Sequence, residues 1–176
     1  YTPTGVGYLA AYAKSKLGKQ VKFCLFKSVS KFIDACEKKK PDFLISHTPY
    51  WVGKKVREMP KEKITIGSHP GLIPFYRGAH SAFWCVYDQE TEKNGYSIFC
   101  LDKGVDSGPL IKQESISYIK EISFRSNDYA LMKLISVTKA KVVESYSKGN
   151  SLITSRLQPV IIMWCASSSE SPRARR

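Results

Sequence analysis

Two stretches, each short enough for one strand, govern what this chain can fold into. Residues 42–46 (DFLIS) and 63–67 (KITIG) carry apolar runs without in-and-out alternation. Runs of that kind belong to strands covered on both faces, as in a parallel sheet held between helical layers. The flanking segments supply those layers. In residues 5–17 (GVGYLAAYAKSKL), Leu9, Ala10, Ala13 and Leu17 fall at helical spacing and Gly18 stops them. Residues 20–26 read as a strand, 29–39 (VSKFIDACEKK) as a helix ending before Pro41, and 50–59 as a loop leading to a short helix. Strand and helix alternate to about residue 90, which predicts βαβ units. Residues 81–89 read as a helix, and 95–102 and 109–118 as strands. The turn at 103–108 between these strands is too short for a crossover, so the pair is antiparallel. Ser126 is expected to cap a helix over about 127–148 whose face is Leu131, Leu134, Ile135 and Val142. The expected fold class is α/β: a Rossmann-like mixed, mainly parallel sheet with helices on both faces. In such open sheets ligands settle at the carboxyl ends of the strands.

Composition narrows the function classes. A hydrophobic content of 43% over 176 residues supports one globular domain with a real core. No apolar run reaches membrane-span length; PVIIMWCA (159–166) is far too short. The net charge of +13 would suit an anionic partner. The basic residues, however, are mostly lysines scattered through every segment, which weighs against nucleic acid as the main partner. Cys24, Cys36, Cys85, Cys100 and Cys165 show neither CxxC nor metal-ligand spacing, so no metal site is expected. Five cysteines without pairing logic point to a reducing, cytoplasmic setting.

Three places carry candidate chemistry. Gly5-x-Gly7-x-x-Ala10 has the outline of a dinucleotide fingerprint. No strand precedes it, and the next strand ends in Phe26-Lys27 where a ribose would want an acid, so the loop is read as a phosphate-facing helix start instead. His69 is a stronger signal, because it follows a buried strand and precedes Pro70-Gly71, at the sheet's mouth. Asp102 and Asp106 flank a glycine turn between two apolar strands. Asp102-Lys103-Gly104 satisfies an Asx turn by itself. Asp106 is left over, and a carboxylate beside a histidine orients the ring and raises its pKa.

SHPGLIPFYRGAHSAFW (68–84), followed by GYSIFCLDKGVDSGPLIKQ (95–113), resembles the catalytic core of the 10-formyltetrahydrofolate-dependent formyltransferases. That superfamily includes glycinamide ribonucleotide, methionyl-tRNA and nucleotide-linked amino-sugar enzymes. The resemblance covers about residues 5–150, most strongly 64–113. It implies that 10-formyltetrahydrofolate donates a formyl group to a small-molecule amine. It further implies that His69 stabilises the tetrahedral oxyanion and helps move the proton, while Asp106 holds an ordered water and pairs with the histidine. Tyr50, Trp51 and Val52 match a loop meeting the pterin, and Leu101, Asp102, Gly104 and Val105 match the facing wall. Gly5, Gly7, Gly71, Arg77 and His80, with Tyr76, are expected to meet the acceptor. The aromatic HSAFW helix and HPG loop look more like the sugar-type members, with glycinamide ribonucleotide the alternative acceptor. The resemblance leaves room for a homodimer and implies no membrane partner.

Two departures accompany the match. Where the family has Asn-x-His, this chain has Gly67-x-His69, and losing one oxyanion donor typically costs about 10²–10³ in rate. A degenerate folate-binding member without activity is therefore a second expectation. The family also starts with a strand before the glycine loop, where only YTPT stands here. A missing first strand is expected to leave a neighbouring edge bare. The predicted organisation is a catalytic domain over 1–150 and an atypical, partly disordered tail over 151–176, as in a truncated or frame-shifted product.

Overall fold

The computed structural model describes residues 29–48, 51–147 and 161–163, together with the helical residues 11, 14 and 15. The sequence readings on Gly5, Gly7 and Tyr50, on the strand over 20–26 and on most of the tail lie outside these residues.

Val29–Lys39 forms helix α1 and Phe43–Ser46 strand β1. Phe32 and Cys36, one helical turn apart, are the buried face of α1. Lys40, at φ 45°, and Pro41 end the helix. Lys54–Arg57 is the short helix α2 and Ile64–His69 strand β2. Ser81–Tyr87 is helix α3, Gly95–Cys100 strand β3, Leu110–Ser115 strand β4, Phe124–Ser147 helix α4 and Ile161–Met163 strand β5. The sheet order is β4-β3-β2-β1-β5. Strand β1 runs parallel to both β2 and β5, while β3 is antiparallel to β2 and to β4. The expected mixed sheet is therefore present.

Alternation along β1 shows why both faces are covered. Leu44 packs with Phe32, Cys36 and Val56 on one side. Ile45, on the other, joins Ile66, Tyr96, Ile98, Leu131 and Ile135 under α4. Tyr96 is fully buried because its hydroxyl donates to Glu114 Oε2 (2.8 Å) and lies 3.1 Å from Thr138 Oγ1.

Three expectations are corrected. Strand β2 extends two residues further than read, so His69 is its last residue, paired with Ser97, and does not lie beyond its end. The cap of α4 is Ser123, whose Oγ accepts from Ser126 N–H at 3.1 Å; Ser126 lies within the first turn. The edge of β1 is not bare: Leu44, Ile45 and Ser46 pair with Ile161, Ile162 and Met163. The same pairing places Ile161–Met163, within the 151–176 segment, in the sheet.

Helix α4 also buries a charge that sequence reading passed over. Lys139 is 1% exposed, and its Nζ donates to Ser46 O (2.8 Å) and His47 Nδ1 (3.0 Å). Burial pushes this amine down to about 7. His47 is held at about 3 by burial and by the Lys139 charge. An unfolded lysine keeps its proton to about pH 10.4. Between pH 7 and that value the unfolded chain thus binds more protons, and stability rises with pH. The midpoint of thermal unfolding is expected to increase from pH 7 to pH 9 in the wild-type protein. In Lys139→Met that increase should shrink; an unchanged slope would assign it to other groups.

Candidate active site

The site assembles where β2 ends. The loop after His69 is tied down by its own backbone and by two neighbouring strands. Ser97 Oγ donates to Gly71 O (2.7 Å) and accepts from Ile73 N–H (3.2 Å). Gln113 Nε2 donates to Ile73 O (2.7 Å) and Ser97 Oγ (2.9 Å). These contacts fix residues 71–73 over β3 and β4. Further on, the Tyr76 hydroxyl is held by the Asp88 and Glu90 carboxylates beyond α3, while its backbone carbonyl lies against the His69 ring.

His69 is 5% exposed, and both ring nitrogens have partners. Nδ1 lies 3.2 Å from Asp106 Oδ2. Nε2 lies 2.9 Å from Tyr76 O and 2.8 Å from Ser81 Oγ. Burial pushes the imidazole below its ordinary value, while the Asp106 carboxylate and the Tyr76 carbonyl oppose that fall. Asp106 is the partner that reaches solvent, with 20% of its side chain exposed against 6% for the histidine. Its Oδ2 also accepts from Gly78 N–H at 2.8 Å. The residue adopts φ 46°, a left-handed conformation that Asp and Asn tolerate better than most.

The path by which Asp106 arrives is not a simple meeting of strand ends. His69 stands opposite Ser97 at the start of β3, whereas the loop carrying Asp106 leaves β3 after Cys100, beside Ile66. The loop must therefore fold back across the sheet. Leu101, whose N–H still donates to Thr65 O at 2.7 Å, leans its side chain back into the space a side chain at position 67 would need. Glycine at 67 is what lets it lie flat. The rest of the loop is self-tied: Asp102 Oδ1 accepts from Gly104 N–H (2.8 Å) and Ser107 Oγ (2.7 Å). The Ser107 bond, the Gly104 amide and the Arg57 charge hold the Asp102 carboxyl below its usual range. The Asx turn read from sequence is present, and Asp102 serves its own loop.

Arg57, whose charge is felt at Asp102, is bonded within the other wall. Its Nη1 donates to Val52 O (2.7 Å), and its guanidinium carbon lies 5.6 Å from the centre of the Trp51 ring. Trp51 is left 59% exposed and Val105 58%, two large apolar groups offered to solvent from the two loops. Arg77 and His80 lie exposed on the segment before α3, where His80 takes φ 60° at the helix N-cap without a side-chain cap bond. Gly71 does not open toward solvent. A Cβ there would meet Tyr76 O at 2.7 Å, and His69 Nε2 and Ser81 Cβ at 2.8 Å each. It closes the packing around the imidazole.

Ser81 is the residue that sequence reading missed. Its only signal was a hydroxyl at the first position of a helix, three residues after Gly78, and such a serine reads as a cap. Here it is 2% exposed and faces the histidine. Among the described residues no cluster of His, Cys, Asp and Glu is arranged to hold a metal. Likewise, no described helix is long and apolar enough to cross a membrane.

Comparison with known proteins gives these observations a setting. Residues 27–130 match the sequence model described as formyl transferase. A methionyl-tRNA formyltransferase of Wolbachia sp. subsp. Drosophila simulans is 39% identical over 85 residues, 47% of this chain and 27% of that protein. A GDP-perosamine N-formyltransferase of Brucella melitensis is 35% identical over 78 residues, 44% of this chain and 29% of that protein. The chain thus spans under a third of the length of either relative. Among solved structures, phosphoribosylglycinamide formyltransferase from Bacillus halodurans superposes with a TM-score of 0.61 at 17% identity, covering 81% of this chain and 91% of that one. A 4-N formyltransferase from Francisella tularensis gives 0.58 at 20%, covering 86% and 68%. At these identities the structural likeness is one of fold.

Proposed function

The chain belongs to the formyl transferase family, and from that premise we propose that it moves a formyl group from 10-formyltetrahydrofolate to an amine, that of a nucleotide-linked amino sugar fitting best. The observation that carries the reading is the Asp106–His69 pair, 3.2 Å apart, with the carboxylate on the solvent side. Support for a sugar acceptor comes from the Brucella relative, which acts on GDP-perosamine. Glycinamide ribonucleotide remains the alternative amine.

The residues present fit a flat donor. Trp51 and Val52 on one loop, held by Arg57, and Leu101 and Val105 on the other offer apolar surface. When bound there, the donor supplies the formyl carbon that the amine attacks. Asp106 accepts the proton that the amine loses, directly or through a water, His69 behind it shares that proton, and the donor nitrogen that gives up the formyl carbon takes a proton in return. Gly78 N–H, bonded to Asp106 Oδ2, keeps the carboxylate aimed while its charge changes. Arg77, exposed on the adjoining loop, is offered to the acceptor's anionic part. The reducing cytoplasm suits the three described cysteines, Cys36, Cys85 and Cys100, all free thiols.

A second reading has its own observation. Leu101 occupies the room beside Gly67 where the family places an amide side chain, which favours a protein that binds folate without transferring the formyl group. One experiment separates the two: calorimetric titration with a 5-formyl- or 10-formyltetrahydrofolate analogue, then single-turnover transfer to amino-sugar nucleotides. Saturable binding with transfer is expected. Binding without transfer to any amine would select the second reading, and absence of binding by folded protein would reject both.

A further inference from the structure

Five contacts around His69 restrict where its hydrogens lie. The Tyr76 carbonyl can only accept, and it stands 2.9 Å from Nε2. The Gly78 carbonyl can only accept, and Ser81 Oγ donates to it at 3.0 Å. With its proton spent on Gly78, Ser81 Oγ meets Nε2 at 2.8 Å as an acceptor. Gly78 N–H donates to Asp106 Oδ2, and the same oxygen faces Nδ1. All five contacts are hydrogen bonds under one assignment alone: a proton on Nε2 shared between Tyr76 O and Ser81 Oγ, and one proton between Nδ1 and Asp106. The rival, a serine donating to a bare Nε2 as in a Ser–His–Asp chain, turns the ring's lone pair against the Tyr76 carbonyl and leaves the Gly78 carbonyl without this donor.

We infer that Ser81 is a positioning residue that, with the Tyr76 carbonyl, pins a permanent proton on His69 Nε2, so that Nδ1 and Asp106 share the single mobile proton on the cleft side. Gly71 seals this arrangement, since no side chain fits between Nε2, Tyr76 O and Ser81. Asp106 is the charged group acting on the ring among the described residues; the Tyr76 phenol turns away to Asp88 and Glu90. The division of labour gives the site a direction. The pair gives its shared proton to the departing donor nitrogen and takes the amine's proton at the carboxylate in its place, no deeper than Nδ1, while Nε2 never exchanges during turnover. The inference deepens the formyl-transfer reading, yet its test does not depend on that activity.

The chain has three histidines, so uniformly ¹⁵N-labelled protein gives at most six imidazole nitrogen signals, assignable with single variants. Following the His69 pair across pH should show Nε2 protonated throughout, with Nδ1 the nitrogen that changes. A bare Nε2 in the neutral ring would overturn the inference. Ser81→Ala then tests the serine itself. Loss of an acceptor destabilises the charged ring, so the His69 midpoint should fall by about half a unit to one unit, the worth of one hydrogen bond. A rise would mean that Ser81 donates, and no shift would mean that Tyr76 acts alone; either sinks the proposal. Ser81→Thr should restore the midpoint, and a threonine behaving like alanine would also count against it. With active protein, Ser81→Ala should lower kcat about tenfold at unchanged KM for the donor. An inactive wild type that keeps the Nε2–H pattern would reject the transfer reading and leave this one standing.

Discussion

Replacing Asp106 by Asn is expected to lower kcat for formyl transfer about a thousandfold, in the middle of the range for a lost general base. Binding of a folate analogue should scarcely change. Asn is the informative substitute because the position sits at φ 46°. Asn accepts left-handed backbone nearly as well as Asp, whereas alanine would add strain and mix a folding effect into the rate. The amide oxygen can still accept from Gly78 N–H, so the loop should stay in place. What disappears is the charge beside Nδ1. His69 then loses the group that opposes its burial, and its midpoint should fall further. The measurement is single-turnover transfer beside calorimetry on the same preparation. A variant retaining more than about a tenth of the wild-type rate would remove the pair from the chemistry.

The second large effect is a gain. Gly67→Asn alone should not help, because the new side chain must displace Leu101 and with it the start of the loop that delivers Asp106. Its expected result is weaker activity and a lower unfolding temperature. Gly67→Asn combined with Leu101→Ala opens that room. The amide then stands two residues from His69 on the same face of β2. A donor placed there should raise kcat by about 10²-fold, toward the worth of one oxyanion-hole group. The two positions are in contact, so the pair should be strongly non-additive. If the double variant is no better than Leu101→Ala alone, the missing amide is not what limits this site.

The reading of sequence succeeded where a local rule decides the outcome. Apolar runs without alternation identified β1 and β2, and the short 103–108 turn required β3 and β4 to be antiparallel. Helix α1 begins and ends where its Phe32–Cys36 spacing and Pro41 say it should. His69 and Asp106 were singled out from position and chemistry, and the fold does bring them together. What escaped was what only three dimensions decide. That Leu101 folds back over Gly67 depends on register across two strands. That Ser81 faces an imidazole and not its own helix end depends on the loop between them. Lys139 was within reach, four residues after Ile135 on the apolar stripe of α4. A lysine in such a stripe is ordinarily taken to bend its stem outward to water. Here the Ser46 carbonyl and His47 ring give its head an interior partner.

The parallel pairing of Ile161–Met163 with β1 has a consequence for how the protein is made. Strand β1 leaves the ribosome early, whereas the partner for its outer edge is synthesised only after α4 is complete. Until then the nascent chain presents an apolar strand with unpaired amides, the kind of edge that recruits other chains. The pairing also joins residues far apart in sequence, so the entropy of bringing them together must be met before the contact contributes anything. Loss of the Ile161–Met163 pairing would return the folded sheet to that exposed condition, with the Asp106–His69 pair, built from β2 and the loop after β3, still assembled.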